Sequence, residues 1–351
     1  GSVILDQFLR DWLENDIGKE KGGDRTMKKY DVKSLAKRGG DSTMLIVLMV
    51  ILVIFFSVLN PSFLSANSFS SIMKQIPEIG LFTMAMMLPM LVGGIDLSII
   101  ASANLASILM SMYMNAHAEK GETGIAHVLV AMLICMLVCM LVGLINGVIV
   151  AKFQIPAMLV TLGMQMVLTG IALGITKGGT LSGYPDSFKF IGNGYVLEII
   201  PVQFIIFVIV SAVLIVVMQK TSFGIRLQMY GSNKVSAQYS GINEMTLLIK
   251  THVVSGIYVG IAAIVMAARL NSASAGAAGN YLMRAILIAV LGGVDPNGGK
   301  GKVSGILWAV LLFQCMATGL NILRVNSYIV IALYGVILLF SVAVRTRKEC
   351  A

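Results

Sequence analysis

Asp96 stands in the segment Val92-Gly93-Gly94-Ile95-Asp96-Leu97-Ser98, between two apolar stretches with almost no loop. An acid there can cap a helix, present hydrogen-bonding groups to a polar pathway, or do both. Two adjacent glycines weaken a helix, so the segment reads as a break, with Asp96 and Ser98 capping a helix that starts at Ile99. A similar string, Leu291-Gly292-Gly293-Val294-Asp295, recurs 199 residues later, again after a short apolar stretch. That recurrence predicts broken helices at corresponding places in two parallel halves of the chain. The other polar groups of interest at depth are Asn104, Asn146, Thr161 and Asn321, neutral donors and acceptors suited to an uncharged solute.

Other chemistries do not fit the residues. Gly298-Gly299-Lys300-Gly301-Lys302 imitates a phosphate loop, but that loop needs glycine six residues before its lysine and Ser or Thr after it. Here Val294 and Pro296 hold the first position, and Gly301 and Val303 the second. His117, His127 and His252 form no His-Glu-x-x-His arrangement, and no zinc spacing occurs, so neither a metal nor a cofactor is expected. Cys135 and Cys139 share one apolar segment and read as packing residues.

The elements that position these groups follow from composition. Hydrophobic residues make up 57% of the 351 residues and charged ones 12%, against ~25% charged in soluble domains. Mean hydropathy is +0.87. A soluble globule, a disordered chain and a disulfide scaffold are excluded, which leaves an all-α polytopic membrane protein. Spans are expected at 43–59, 76–93, 98–115, 124–151, 155–176, 198–218, 246–269, 281–293, 303–323 and 327–344, ten in all, with 76–93 and 281–293 short. With the N-terminus inside, fifteen Lys and Arg from Lys28 onward fall at the inner side and six at the outer, so both termini are expected in the cytoplasm. The net charge of +9 is therefore an orientation signal and implies no nucleic acid. Three Gly-x-x-x-Gly pairs, Gly143/Gly147, Gly170/Gly174 and Gly256/Gly260, predict close helix contacts within the bundle.

Residues 1–42 form a cytoplasmic N-terminal segment, 43–344 the transmembrane domain and 345–351 a cytoplasmic tail. Residues 1–26 precede a natural start at Met27-Lys28-Lys29 and read equally as an extension or as an amphipathic surface helix. The longest inner loop, 219–245, holds a turn at Gly231 and Asn233 and a short surface helix over 234–240 that ends at Gly241. Such a helix connects spans and has the shape to dock on a cytoplasmic partner.

These motifs resemble the permease subunits of bacterial ABC importers for monosaccharides, the ribose, xylose and galactose type that includes autoinducer-2 permeases. The resemblance rests on Gly93–Ser98, on Gly143-Leu-Ile-Asn146-Gly147 with Ile155-Pro156 and Val160–Gly163, and on Thr221–Gly224 with Gly231–Ile242. It continues through Leu291–Gly293, Gly298–Gly301 and Gly319–Asn321, and covers roughly residues 44–344. It implies a permease in a bacterial cytoplasmic membrane, paired with a copy of itself or a sister subunit. The pair would sit on a cytoplasmic ABC ATPase and receive sugar from an extracytoplasmic binding protein. Gly231, Asn233, Ala237, Ser240 and Gly241 would touch the ATPase. Gly93, Gly94, Asp96 and Ser98 would lie near the translocation path, joined by Asn104, Asn146, Thr161 and Asn321. Gly292, Gly293 and Asp295 would form the second break. ATP hydrolysis would belong to the partner. The alternative is an ion-coupled secondary transporter, which would use several intramembrane acids or bases; the candidates here are Asp96, Glu78, Arg284 and Asp295.

Overall fold

The computed structural model describes residues 41–118, 124–326, 328–337 and 339, so residues 1–40 and the 345–351 tail lie outside it. The helices are α1 (Asp41–Leu59), α2 (Ala66–Leu91), α3 (Ile99–Ala118), α4 (Ile125–Phe153), α5 (Ala157–Thr176), α6 (Asp186–Asn193) and α7 (Val202–Lys220). They continue as α8 (Ser222–Ser232), α9 (Lys234–Tyr239), α10 (Glu244–Leu270), α11 (Tyr281–Leu291) and α12 (Val303–Ile322), then α13 (Tyr328–Ile337). Two-residue strands pair antiparallel: β1 (Leu181–Ser182) with β4 (Ser272–Ala273), and β2 (Tyr195–Val196) with β3 (Ile200–Pro201).

Among the described residues, α3, α4, α5, α7, α10 and α12 are long and apolar enough to cross a membrane. The chain is an all-α, multi-pass membrane protein. The span expected at 76–93 is not short: α2 starts at Ala66 and runs 26 residues. Its first turns, Ala-Asn-Ser-Phe-Ser-Ser, are polar and hid the start, which Ser65 caps by accepting the Ser68 N–H. The stretch at 281–293 is short, since α11 has 11 residues and covers about 16 Å at ~1.5 Å per residue. The loop that precedes it packs beside α3. Asn104 of α3 donates its side-chain amide to the carbonyls of Ala275 (3.0 Å) and Ala277 (2.8 Å), hanging that loop within the bundle.

α2 and α10 form the centre. Every α2 residue from Ile76 to Leu91 is buried. Pro89 lies inside α2 and removes the N–H that would pair with the Ala85 carbonyl; Ser255 Oγ of α10 donates to that carbonyl instead, at 2.9 Å. α4, α5 and α7 turn Leu129, Leu133, Val167 and Val213 outward, as helices facing lipid do.

Two of the glycine pairs pack as expected. A Cβ on Gly143 would overlap the His252 carbonyl, and one on Gly147 would lie 2.9 Å from Ile249 Cα. Reciprocally, a Cβ at Gly256 would lie 2.5 Å from the Cys139 carbonyl. Gly256→Leu is therefore expected to cost about 1–3 kcal/mol by overpacking, seen as a lower melting temperature of the purified protein in detergent. The third pair departs from expectation. Gly170 and Gly174, with Gly163, meet nothing within 4 Å, so this face of α5 is open.

Candidate functional site

The first helix break is built from its glycines. At the end of α2, Gly93 takes φ +79°, a conformation that strains residues with a side chain. Gly93 N–H bonds Met90 O (3.0 Å), and Gly94 N–H reaches back to Pro89 O (3.0 Å), closing a left-handed helix cap. The second break repeats this cap: Gly293 has φ +87°, its N–H bonds Val290 O, and Val294 N–H bonds Ala289 O, both at 3.0 Å. The two caps thus correspond as Gly93 with Gly293, one residue out of register from the sequence match, which pairs Gly93 with Gly292. Gly292 has ordinary backbone and serves packing, its Cα lying where a Cβ would press on Ile306 of α12.

Each break continues into an aspartate turn. Asp96 Oδ1 accepts the Ser98 N–H (2.9 Å) and hydroxyl (2.6 Å) just before α3, an aspartate turn at the helix entrance instead of the expected cap on the helix's own first N–H groups. Asp295 Oδ1 accepts the Asn297 N–H at 2.9 Å. Asn146 of α4 donates to Ser98 Oγ at 2.8 Å. Thr161 Oγ1 of α5 accepts the Leu97 N–H at 3.0 Å and lies 2.8 Å from Ala157 O. Asp96, Ser98, Asn146 and Thr161 are all buried, and together they pin the break to two neighbouring helices. Thr161→Val leaves the Leu97 N–H unpaired, an expected loss of about 1–3 kcal/mol, measurable as faster amide exchange at Leu97 and a lower melting temperature. Asn104 holds the 275–277 loop, and Asn321 is exposed in the last turn of α12; neither joins the cluster.

The 219–245 segment folds as α8 and α9. Gly231 lies in the last turn of α8 and not in a turn between elements. Asn233 ends α8 and caps α9, its Oδ1 accepting the Ser236 N–H at 3.0 Å. Gly241 takes φ +77° just beyond α9. Ser240 Oγ donates to Ser236 O at 2.9 Å. Ala237 is buried and faces the chain's own core, whereas Val235 and Tyr239 are 61% and 89% exposed. Glu244 ties the segment to α10: it accepts the Tyr230 hydroxyl on one oxygen and Gln238 Nε2 on the other, at 2.8 Å. Burial and that carboxylate push the Tyr230 phenol above its ordinary range.

Both breaks and α8 meet backbone to backbone. Gly299 N–H donates to Leu91 O at 2.9 Å, joining the second break to the end of α2. A Cβ on Gly231 would overlap both Leu91 O and Gly299 N. One on Gly298 would lie 2.9 Å from Gly231 O and 3.0 Å from Gly93 N. Three glycine-bearing segments distant in sequence therefore share one junction that excludes side chains. Leu91, Gly298 and Gly299 were not named as site residues from sequence; the signal for the last two was a glycine run with no phosphate-loop role.

Residues 68–342 match the family described as branched-chain amino acid transport system / permease component. The chain belongs to this permease family. The permease is 34% identical over 303 residues to the ribose import permease protein RbsC of Bacillus subtilis (strain 168), covering 86% of this chain and 91% of that one. It is 31% identical over 316 residues to the probable ABC transporter permease protein YphD of Escherichia coli (strain K12), covering 90% and 92%. It is 31% identical over 299 residues to the D-allose transport system permease protein AlsC of the same organism, covering 85% and 89%. No solved structure matches the permease. The matched span holds both breaks, the Asp96 cluster and the α8–α9 segment.

Proposed function

We propose that the permease forms the translocation path for a neutral monosaccharide or similar polyol-like solute in an ATP-driven importer. It crosses a bacterial cytoplasmic membrane ten times, with both termini in the cytoplasm. A separate ABC ATPase docks on α8–α9, an extracytoplasmic binding protein delivers the sugar, and a second permease subunit, a copy or a sister chain, completes the pore.

One observation carries this reading: at the glycine junction α8 packs its backbone directly against both helix breaks, which are themselves tied by the Gly299–Leu91 hydrogen bond. A push on α8 by an ATPase that changes state would reach both breaks without passing through a flexible side chain. The partner biases the equilibrium by its differential contacts with the two arrangements. Asn233, Ser240 and Gly241 shape the exposed surface, Val235 and Tyr239 furnish apolar contacts, and Gly231 and Ala237 seat the segment on the permease. Gly93, Gly94, Asp96 and Ser98 then lie at the moving part of the path, with Asn104, Asn146, Thr161 and Asn321 offering hydrogen bonds along it. The mirrored cap at Gly293 and Asp295 moves with them. The open glycine face of α5 suits close approach of the second subunit.

Val235→Glu and Tyr239→Glu place charge on the docking surface without touching the junction. Both variants are expected to insert normally and to lose the ATPase on co-purification. Retention of the ATPase by both would contradict the docking assignment.

A further inference from the structure

A groove of about 340 Å³ runs between α4, α7 and α10 and is bordered by the short helix α6. Leu129, Leu133 and Met136 place it in the half of α4 that begins at Ile125. Asn146, which ties α4 to the first break, belongs to the other half. α4 and α10 touch closely as far as Gly260, where a Cβ would lie 2.7 Å from Met136 Sδ. Beyond that contact, Leu129, Leu133 and Ile261 stand with Ile206 of α7 and Ile191 of α6 around open space. α6 is fixed at this edge. A Cβ on Gly192 would overlap the Ala268 backbone, and Asn193 Nδ2 donates to Ala268 O at 3.2 Å.

The lining decides what fills this groove. Every residue along it is apolar. An ordered water needs about two to four polar partners, so water has no place there. An empty groove would forfeit the dispersion contacts of its lining side chains. The medium around a membrane-spanning bundle at this depth is hydrocarbon. The groove is continuous with the lipid-facing surface: Leu129 and Leu133 are 59% and 57% exposed on the α4 side, and Ile209 and Val213 are exposed on the α7 side. The face suited to close approach of a second subunit lies elsewhere, on α5 at Gly163, Gly170 and Gly174. The paired charges of α6 select no headgroup, because Lys189 Nζ already meets Asp186 Oδ1 at 3.0 Å. A hydrocarbon chain satisfies this lining, and the bilayer supplies it.

We infer that one acyl chain of a bilayer phospholipid lies in this groove, in the leaflet away from α8–α9, and that the permease holds it as a structural ligand. The chain fills the space that α4, α6, α7 and α10 leave between them, and so fastens α6 and α7 to the α4–α10 pair. Recognition is of the chain and not of the headgroup. The site is independent of which solute the permease carries.

The test uses the permease in vesicles of phospholipids that carry a photoreactive diazirine along one acyl chain. The vesicles are dissolved and washed in cholate, whose rigid steroid body does not imitate a flexible chain. The sample is then irradiated and the labelled peptides are mapped. Label is expected on residues 129–136 and 261–265 and not on α5, whose exposed Val167 and Ile171 hold no chain through the wash. Phosphatidylethanolamine and phosphatidylglycerol carriers are expected to label equally. Ile261→Trp and Ile206→Phe fill the groove with side-chain atoms, and each is expected to lower that label about tenfold. The map of the parent protein carries the test if neither variant inserts. Label spread evenly over α4, α5 and α7, or no label after washing, would overturn the site. So would label restricted to one headgroup, or undiminished label in a groove-filling variant that inserts. If Leu133→Cys, unlike the parent, forms a disulfide-linked permease dimer in the vesicles, the groove belongs to a second copy and the lipid site is overturned.

Discussion

Gly231→Val is expected to reduce ATP-driven uptake by tenfold to a hundredfold while the protein still inserts and co-purifies with its ATPase. The added carbons would occupy the positions of the Leu91 carbonyl oxygen and the Gly299 nitrogen, which are backbone atoms with no rotamer to yield. α8 must then move away, breaking contact with both breaks at once. Overpacking of this kind costs about 1–3 kcal/mol, and a rate changes tenfold for each ~1.4 kcal/mol by which the working arrangement is disfavoured. Gly241→Ala is the contrast, because Gly241 meets nothing within 4 Å and only its φ of +77° is disturbed. Uptake, membrane fraction and ATPase retention are measured side by side. Normal uptake by a correctly inserted Gly231→Val protein would refute the junction's part in coupling.

The second large effect concerns stability. Arg269 Nε lies 2.5 Å from Glu78 Oε2, and Glu78 is 1% exposed. Arg269 Nη2 also reaches Tyr281 Oη at 3.4 Å, so the pair links α10, α2 and α11. Arg269→Ala strands a buried carboxylate and is expected to cost about 3–5 kcal/mol. Replacing both partners by leucine removes the stranded charge and is expected to recover most of that loss. Thermal unfolding of the single and double variants in detergent checks both statements. If Arg269→Ala melts like the parent, the pair is not holding these helices. The same pair bears on the ion-coupled alternative. Glu78, one of the few acids at depth, already has its cation in place and serves as a tie between helices.

The elements were legible in the sequence wherever apolar length alone defines them, as in α4, whose boundaries at Ile125 and Phe153 lie within two residues of expectation. The start of α2 was not, because its first turns are polar and carry no hydropathy signal. The breaks were legible from paired glycines before an aspartate, since a left-handed cap followed by an aspartate turn has few sequence solutions. Their structural register was hidden, because either glycine of a pair can take the positive φ. Gly231 read as a turn because glycine is common in turns. Its actual reason is a backbone neighbour more than sixty residues away, and spacing along the chain holds no trace of that. The split among the Gly-x-x-x-Gly pairs has the same origin: the motif permits close approach but does not name the partner helix.

The proposed importer draws its energy from another chain. The decisive measurement is uptake of labelled ribose, allose and galactose by vesicles carrying the permease, its co-purifying ATPase and binding protein. ATP is enclosed in one set and a non-hydrolysable analogue in the other, each with and without a proton and sodium ionophore. Uptake of one of these sugars that requires hydrolysable ATP and ignores the ionophore is the predicted result. Uptake by the permease alone, or uptake that the ionophore abolishes while ATP is intact, would contradict it.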